Sequence, residues 1–275
     1  KLREQHFTKD SNVMFDSGAF TAFTTGKKID INEYAEFIKN YVLMKTSGTS
    51  GIPFSARIDV KHWIVEQAVV WRQWKSFGYR FRDKIGIIRS YAPKDGDSLI
   101  KIDRLRNFIY YSPYHLSDKN CALFYKDMIS RKVKFLRGYP SSIKIFASYC
   151  IKNKLKINSL KGVLLASETL SSSDKVYIQS CFDVPVVNHY GLAECIVMIG
   201  NIHSDNILYN YDDYGYLELI SNKNNTYSMI GTNLNNFAMP LIRYNTNDIA
   251  IRSERDGESN INFQQIISVE LFFCL

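Results

Sequence analysis

Apolar residues recur along this chain with two periods, and the change from one to the other predicts its elements. Tyr34, Phe37, Ile38 and Tyr41 fall at helical spacing behind Asp30 and Glu33, which are placed as a capping box. Helical spacing returns at Ile64, Ala68, Trp71, Trp74 and Lys75, and Gly78 is placed to end that helix. Two more helices are predicted over Asn120–Lys132 and, after Pro140, over Ser141–Lys152. Short strands are predicted at Val13–Phe20, where the run ends in a turn, and at Ile85–Ile88. From residue 160 the two periods alternate: LKGVLLAS reads as a strand, SSSDKVYIQSCF as a helix and VPVVNHYG as a strand ending in a loop. Strand, helix and strand in that order predict a parallel sheet joined by crossover helices. Tyr214–Ile220, Thr226–Thr232 and Leu241–Arg252 then read as strands linked by tight turns. The expected fold is α/β: a mostly parallel sheet with flanking helices, then a smaller β-rich part from about residue 205.

Composition narrows the class. The 275 residues suit one large or two smaller domains, and 45% hydrophobic with 23% charged residues is ordinary for a chain with a packed core. The net charge of +8 favours anionic partners such as nucleotides, but Lys and Arg are scattered and never form a run of five, which argues against a nucleic-acid surface. Cys121, Cys150, Cys181, Cys195 and Cys274 are odd in number, widely spaced and form no CxxC pair. That pattern points away from a disulfide framework or zinc site and towards a reducing cytoplasm. No apolar run is long enough to span a membrane, and KLREQHFTKD lacks the apolar stretch of a signal peptide.

Three segments carry candidate chemistry. Thr46, Ser47, Gly48, Thr49, Ser50 and Gly51 form a loop whose glycines bring backbone N–H groups to an anion and whose hydroxyls add donors. The composition suits ATP phosphates, although it is not a Walker-type loop, and taken alone it reads sooner as a polar surface turn. Tyr190, Gly191 and Glu194 follow an apolar run, at the C-terminal end of a predicted strand, where open α/β sheets bind ligands. There a tyrosine can stack on adenine and a carboxylate can hold Mg²⁺ beside phosphates; the alternative is a helix start with an exposed Glu. Asp248 ends Pro240–Asp248 behind Asn-Thr-Asn, where its carboxylate could accept two ribose hydroxyls or simply cap an Asx turn.

In order and separation these segments resemble the adenylate-forming enzymes: acyl-CoA synthetases, adenylation domains and luciferases. TSGTSGIP is similar to the family's phosphate loop, HYGLAE to its aromatic-Gly-x-x-Glu motif and PLIRYNTNDIA to the motif that ends in the ribose-binding Asp. Asp103–Asn107, Tyr114–Ser117, Arg137–Ser142 and Ala166–Thr169 resemble the phenylacetate–CoA ligase-like branch, including the CapK-like proteins of capsular polysaccharide biosynthesis. The resemblance covers residues 44–252. It implies ATP-dependent activation of a carboxylic acid through an acyl-adenylate, with Mg²⁺ and with coenzyme A as the acceptor thiol. By resemblance Thr46–Gly51 hold the phosphates, Tyr190 with Gly191 and Ala166, Ser167 and Glu168 receive adenine, and Glu194 binds Mg²⁺. Asp248 takes the ribose, His115 stands near the acyl site, and Arg243 serves either the nucleotide or an ion pair. His62, His189 and His203 are expected to be structural or exposed.

The chain also departs from that pattern. Residues 1–43 do not resemble the family's N-terminal portion; Phe15–Phe20 instead resembles the Asp-Ser-Gly-Gly-Phe of queuine-type tRNA transglycosylases, so a junction is expected near residue 43. Residues 44–204 are expected to form the α/β nucleotide-binding portion of a truncated adenylate-forming domain and residues 205–252 a β-rich subdomain. Residues 253–275 read unlike the family's hinge, leaving its mobile C-terminal domain and catalytic lysine without a counterpart. Ile52 and Phe54 stand where relatives often carry lysine. These departures keep open a second class, a catalytically incomplete nucleotide-binding fragment or interaction protein, with self-association through exposed core surface.

Overall fold

Two short uninterrupted apolar runs become inner strands of a sheet, because only a strand covered on both faces can be apolar throughout. In the computed structural model, which describes residues 41–45, 55–202, 207–222, 226–252 and 265–270, both Ile85–Ile88 and Gly162–Ala166 are buried at every position. The chain divides into two compact units. One draws on Lys1–Val69, Gly191–Ile199 and Asn210–Leu275, the other on Val70–Tyr190 and Gly200–Tyr209.

The second unit is built on β3 (Ile85–Ile88), β4 (Ile100–Asp103), β5 (Phe108–Tyr111), β6 (Phe135–Gly138), β7 (Gly162–Ala166) and β8 (Val186–Gly191). Their order is β8-β7-β6-β3-β5-β4. All neighbours run parallel except β4, which folds back antiparallel on β5. Helices α2 (Asp118–Arg131), α3 (Pro140–Lys152) and α4 (Ser172–Phe182) connect these strands. Their boundaries follow local chemistry. The Ser117 hydroxyl accepts from Asn120 N at 3.4 Å and the Ser171 hydroxyl from Asp174 N at 3.1 Å, while Pro140 opens α3. Lys132 and Asp183 end α2 and α4 in the left-handed conformation.

Phe124 and Met128 of α2 and Ile143, Phe146 and Cys150 of α3 pack with Leu136, Val163, Leu165 and Val186 in one core. On the other side Trp74, Tyr79 and Phe135 meet edge to face, with centroids 5.5 and 5.7 Å apart. Trp74 lies on α1 (Val60–Ser76), a helix divided by the unit boundary after Val69. Only part of the apolar stripe that predicted this helix turns inward. Ile64 is 57% exposed and Trp71 41%, whereas His62, Val69, Val70, Gln73 and Trp74 are buried. The two buried polar residues gain backbone carbonyl partners, which removes the desolvation cost that otherwise keeps such groups outside.

In the first unit β1 (Tyr41–Lys45) pairs antiparallel with β2 (Ser55–Asp59), with Lys45 opposite Ser55. Tyr41, expected to belong to a helix, opens a strand instead. Short strands β9 (Met198–Gly200) and β10 (Leu208–Asn210) follow the parallel sheet in the chain. A second antiparallel sheet has the order β11 (Gly215–Ser221), β12 (Thr226–Asn233), β13 (Tyr244–Arg252) and β14 (Gln265–Glu270). The tail that resembled no family element supplies β14. The backbones here pack so closely that Gly215 faces the Ile196 carbonyl, where a β-carbon would collide. The architecture is thus mixed α/β, with a mostly parallel sheet, flanking helices and a smaller antiparallel sheet.

Candidate active site

In the first unit the turn after Gly191 carries Glu194, which is 7% exposed. The turn is closed by Cys195 N donating to Leu192 O at 3.0 Å, with Cys195 at φ 54°. Two side chains from distant parts of the chain grip the Cys195 carbonyl: His62 Nε2 at 2.9 Å and Asn233 Nδ2 at 2.6 Å. Asn233 Oδ1 in turn accepts from the backbone N–H groups of Asn235 and Asn236. The Cys195 thiol donates to Glu66 Oε2 at 3.0 Å. His62 is fully buried and its pKa is lowered by that burial, so it holds the turn as a neutral ring.

Glu194 Oε1 accepts from Tyr244 Oη at 3.2 Å. Burial raises the Glu194 pKa; its own backbone N–H and Tyr244 pull it down, and the Asp248 charge pushes it up again. Asp248 is 8% exposed, and its charge also raises the Tyr244 pKa, behind burial and Glu194. The backbone brings these groups together through an irregularity in β13. Ser228 pairs with Ile249 but Ile230 pairs with Asn245, so the β13 side of this step is longer, and Asn247 takes a positive φ of 60°. The Thr246 hydroxyl accepts from Asp248 N at 3.1 Å and donates to Met229 O at 3.0 Å, which pins the bulge. The outcome is two buried carboxylates that sense each other, with a phenol fixed on one of them. The described residues hold no cluster of three or more His, Cys, Asp or Glu that could bind a metal unaided. Such a donor set fits Mg²⁺, which takes one or two carboxylates and completes its shell with water and substrate phosphates. A cavity of about 360 Å³ in this unit has Asp59, Lys61, His62, Val65, Asn235 and Phe237 in its wall, none of them a motif residue.

In the second unit the candidates stand at the C-terminal ends of the parallel strands. Tyr190 is the last residue but one of β8 and is 7% exposed; Ala166 closes β7 and is buried; Ser167 beyond it is exposed with φ 72°. Glu168 does not point free: its carboxylate accepts from Ser141 N at 3.0 Å and Ser141 Oγ at 2.9 Å, capping α3 from a distant strand end. His115 is exposed in a single 3₁₀ turn, Pro113–His115, and its Nδ1 lies 2.8 Å from Ser112 Oγ. Returning to the first unit, Arg243 pairs with Glu218, Nε to Oε2 at 3.2 Å, at an exposed position. Thr46–Gly51 and His203 lie outside the described residues. His62, Asn233 and Tyr244, which fix Glu194, belong to no site signal in the sequence; only the position of Tyr244 inside Pro240–Asp248 could have drawn attention to it.

No family model matches the chain, and no curated protein matches it either. Solved structures do. A 2-hydroxyisobutyryl-CoA ligase, solved with 2-HIB-AMP and CoA, superposes with a TM-score of 0.60 at 16% identity, over 78% of this chain and 50% of that one. The likeness is one of fold. An acyl-CoA synthetase from Brucella canis gives 0.55 at 15% identity over 82% of this chain and 44% of that chain. A luciferase-like enzyme from Zophobas morio gives 0.52 at 14% identity over 89% and 59%. The chain thus spans about half the length of the solved structures it resembles. No helix among the described residues is long and apolar enough to cross a membrane.

Proposed function

We propose that this chain serves ATP-dependent activation of a carboxylic acid, as an acid–CoA ligase of the phenylacetate–CoA ligase-like or CapK-like kind. The observation that carries the reading is the buried Glu194–Tyr244 pair beside Asp248, in a chain that shares the fold of acyl-CoA ligases. The substrate carboxylate attacks the α-phosphate of ATP and pyrophosphate leaves. A thiol, that of coenzyme A, then attacks the acyl carbonyl and AMP leaves. Mg²⁺, when bound, offsets the phosphate charge, and Glu194 is the residue to hold it.

The chain's own groups bind and orient. Tyr244 fixes one Glu194 oxygen, while Asn233 and His62 fix the turn beneath it. Asp248 accepts the ribose hydroxyls, Tyr190 and the Ala166–Glu168 segment receive adenine, and Thr46–Gly51 receive the phosphates. None of these groups needs to become a nucleophile, so catalysis rests on positioning and fixed donors.

Calorimetric titration with Mg·ATP tests the reading. Asp248→Ala is expected to weaken binding by about 1.5–3 kcal/mol, the worth of hydrogen bonds to a charged acceptor. Unchanged affinity in that variant would remove Asp248 from the site. Binding by the parent chain without carboxylate-dependent pyrophosphate release would favour a nucleotide-binding module that does not turn over.

A further inference from the structure

Resting on that adenylation reading and deepening it, we propose that Arg89 and Arg137, beside the His189 imidazole, form a subsite for a second anionic group, so that the acid activated is a dianion. The three side chains come from neighbouring parts of one sheet. Arg137 lies within β6, Arg89 directly follows β3, and His189 lies on β8, with Ala166 of β7 as its partner. Arg89 and His189 thus stand at the C-terminal edge of a parallel sheet, where open α/β folds bind their ligands, and His189 directly precedes Tyr190.

Each guanidinium is oriented by an aromatic ring. Arg89 Cζ stands 5.3 Å from the Tyr139 centroid and Arg137 Cζ 5.0 Å from that of Trp74. A planar guanidinium offers its N–H groups as a fork, the shape that grips a carboxylate or phosphate with two parallel hydrogen bonds. Arg89 donates through one Nη to Ser167 Oγ at 3.2 Å and makes no ion pair among the described residues.

His189 reports the field between the two. Gln73 Nε2 donates to Asn188 O at 2.9 Å and to Asn201 O at 3.2 Å, which turns Gln73 Oε1 towards His189 Nδ1 at 3.2 Å. Nδ1 therefore carries the hydrogen and the ring stays neutral. Burial, then Arg137, then Arg89 push its pKa down to about 3. Two guanidinium charges that act on one imidazole repel each other, and an anion between them relieves that repulsion. A monocarboxylic acid spends its only charge at the reacting phosphate. A dicarboxylic or phosphorylated acid has a second charge to place on the arginines.

The test titrates butyrate, succinate and phosphoglycolate into the whole chain by calorimetry, with Mg·ATP titrated separately, for the parent, Arg89→Gln and Arg89→Lys. Circular dichroism confirms that the variants fold. Succinate, phosphoglycolate or both are expected to bind at least about tenfold more tightly than butyrate, the worth of one charge-assisted hydrogen bond. Arg89→Gln abolishes that preference, Arg89→Lys retains part of it, and both leave Mg·ATP affinity unchanged. A preference for succinate identifies a dicarboxylic acid, and one for phosphoglycolate a phosphorylated acid. Equal affinity for all three acids, or binding of none, overturns the subsite. So does loss of Mg·ATP binding in Arg89→Gln, which assigns the arginine to the nucleotide. A dianion preference in a chain that binds no Mg·ATP upholds the subsite and sinks the adenylation reading instead.

Discussion

His189 makes the second unit sensitive to acid in a way that can be worked out in advance. Its pKa is held at about 3 against an ordinary 6.5, by burial first and by Arg137 and Arg89 next. The depressed value means that the unfolded chain binds a proton more readily than the folded one. Stability is therefore fully present above pH 6.5 and falls as the pH drops below it, levelling off only near pH 3. One such group gives a slope of about 1.4 kcal/mol per pH unit, or about 2.7 kcal/mol between pH 7.5 and pH 4.5. His62, also lowered by burial, adds in the same direction. Glu194 opposes them: with a raised pKa its folded form binds the proton more readily, so acidification through the carboxyl range favours folding.

The variant that isolates His189 is Asn. Its amide nitrogen falls close to Nδ1, keeps the donor to Gln73 Oε1, and does not titrate. Urea unfolding of both proteins at a series of pH values gives two stability curves, and their difference cancels every other titrating group. That difference is expected to change in favour of His189→Asn by about 2.7 kcal/mol from pH 7.5 to pH 4.5. Parallel curves would refute the reasoning, because they would mean that the imidazole protonates in the folded chain as readily as in the unfolded one.

Two further outcomes test the first unit. Asn233→Ala deletes the donor to the buried Cys195 carbonyl and the acceptor for Asn235 N and Asn236 N; it should lower stability by about 2–4 kcal/mol and weaken Mg·ATP binding, and a variant that unfolds earlier yet keeps full affinity would show that the turn holds Glu194 without it. Gly215→Ala drives a β-carbon into the Ile196 carbonyl, and the backbone shift it forces should cost about 1–3 kcal/mol, read as a lower melting temperature; an unchanged melting temperature would show that β11 and the segment at Ile196 can part at no cost.

What the sequence shows of this molecule depends on how far a residue's partners lie along the chain. The Gly162–Ala166 strand, α4 and the Val186–Gly191 strand follow from periodicity, because their apolar patterns and serine caps are local. Helix α1 is equally legible as a helix, but its buried face is not. Apolar residues stand on both sides of it, and two of the positions that turn inward are His62 and Gln73. Each is accommodated by a carbonyl more than 100 residues away, at Cys195 and Asn188. Hydropathy alone therefore assigns Ile64 and Trp71 to the core and leaves these two outside it. The candidate site divides along the same line. Glu194 and Asp248 announce themselves within short ordered motifs. The groups that give them their chemistry act across the chain: Tyr244 on Glu194 from 50 positions away, and Asn233 on the Cys195 carbonyl from 38. Arg89 belongs to no motif, and it meets Tyr139 and Ser167 only because parallel strands end together at one edge. A chemistry carried by a motif can be read from residues in a row, whereas a specificity carried by a strand edge needs the register of the sheet.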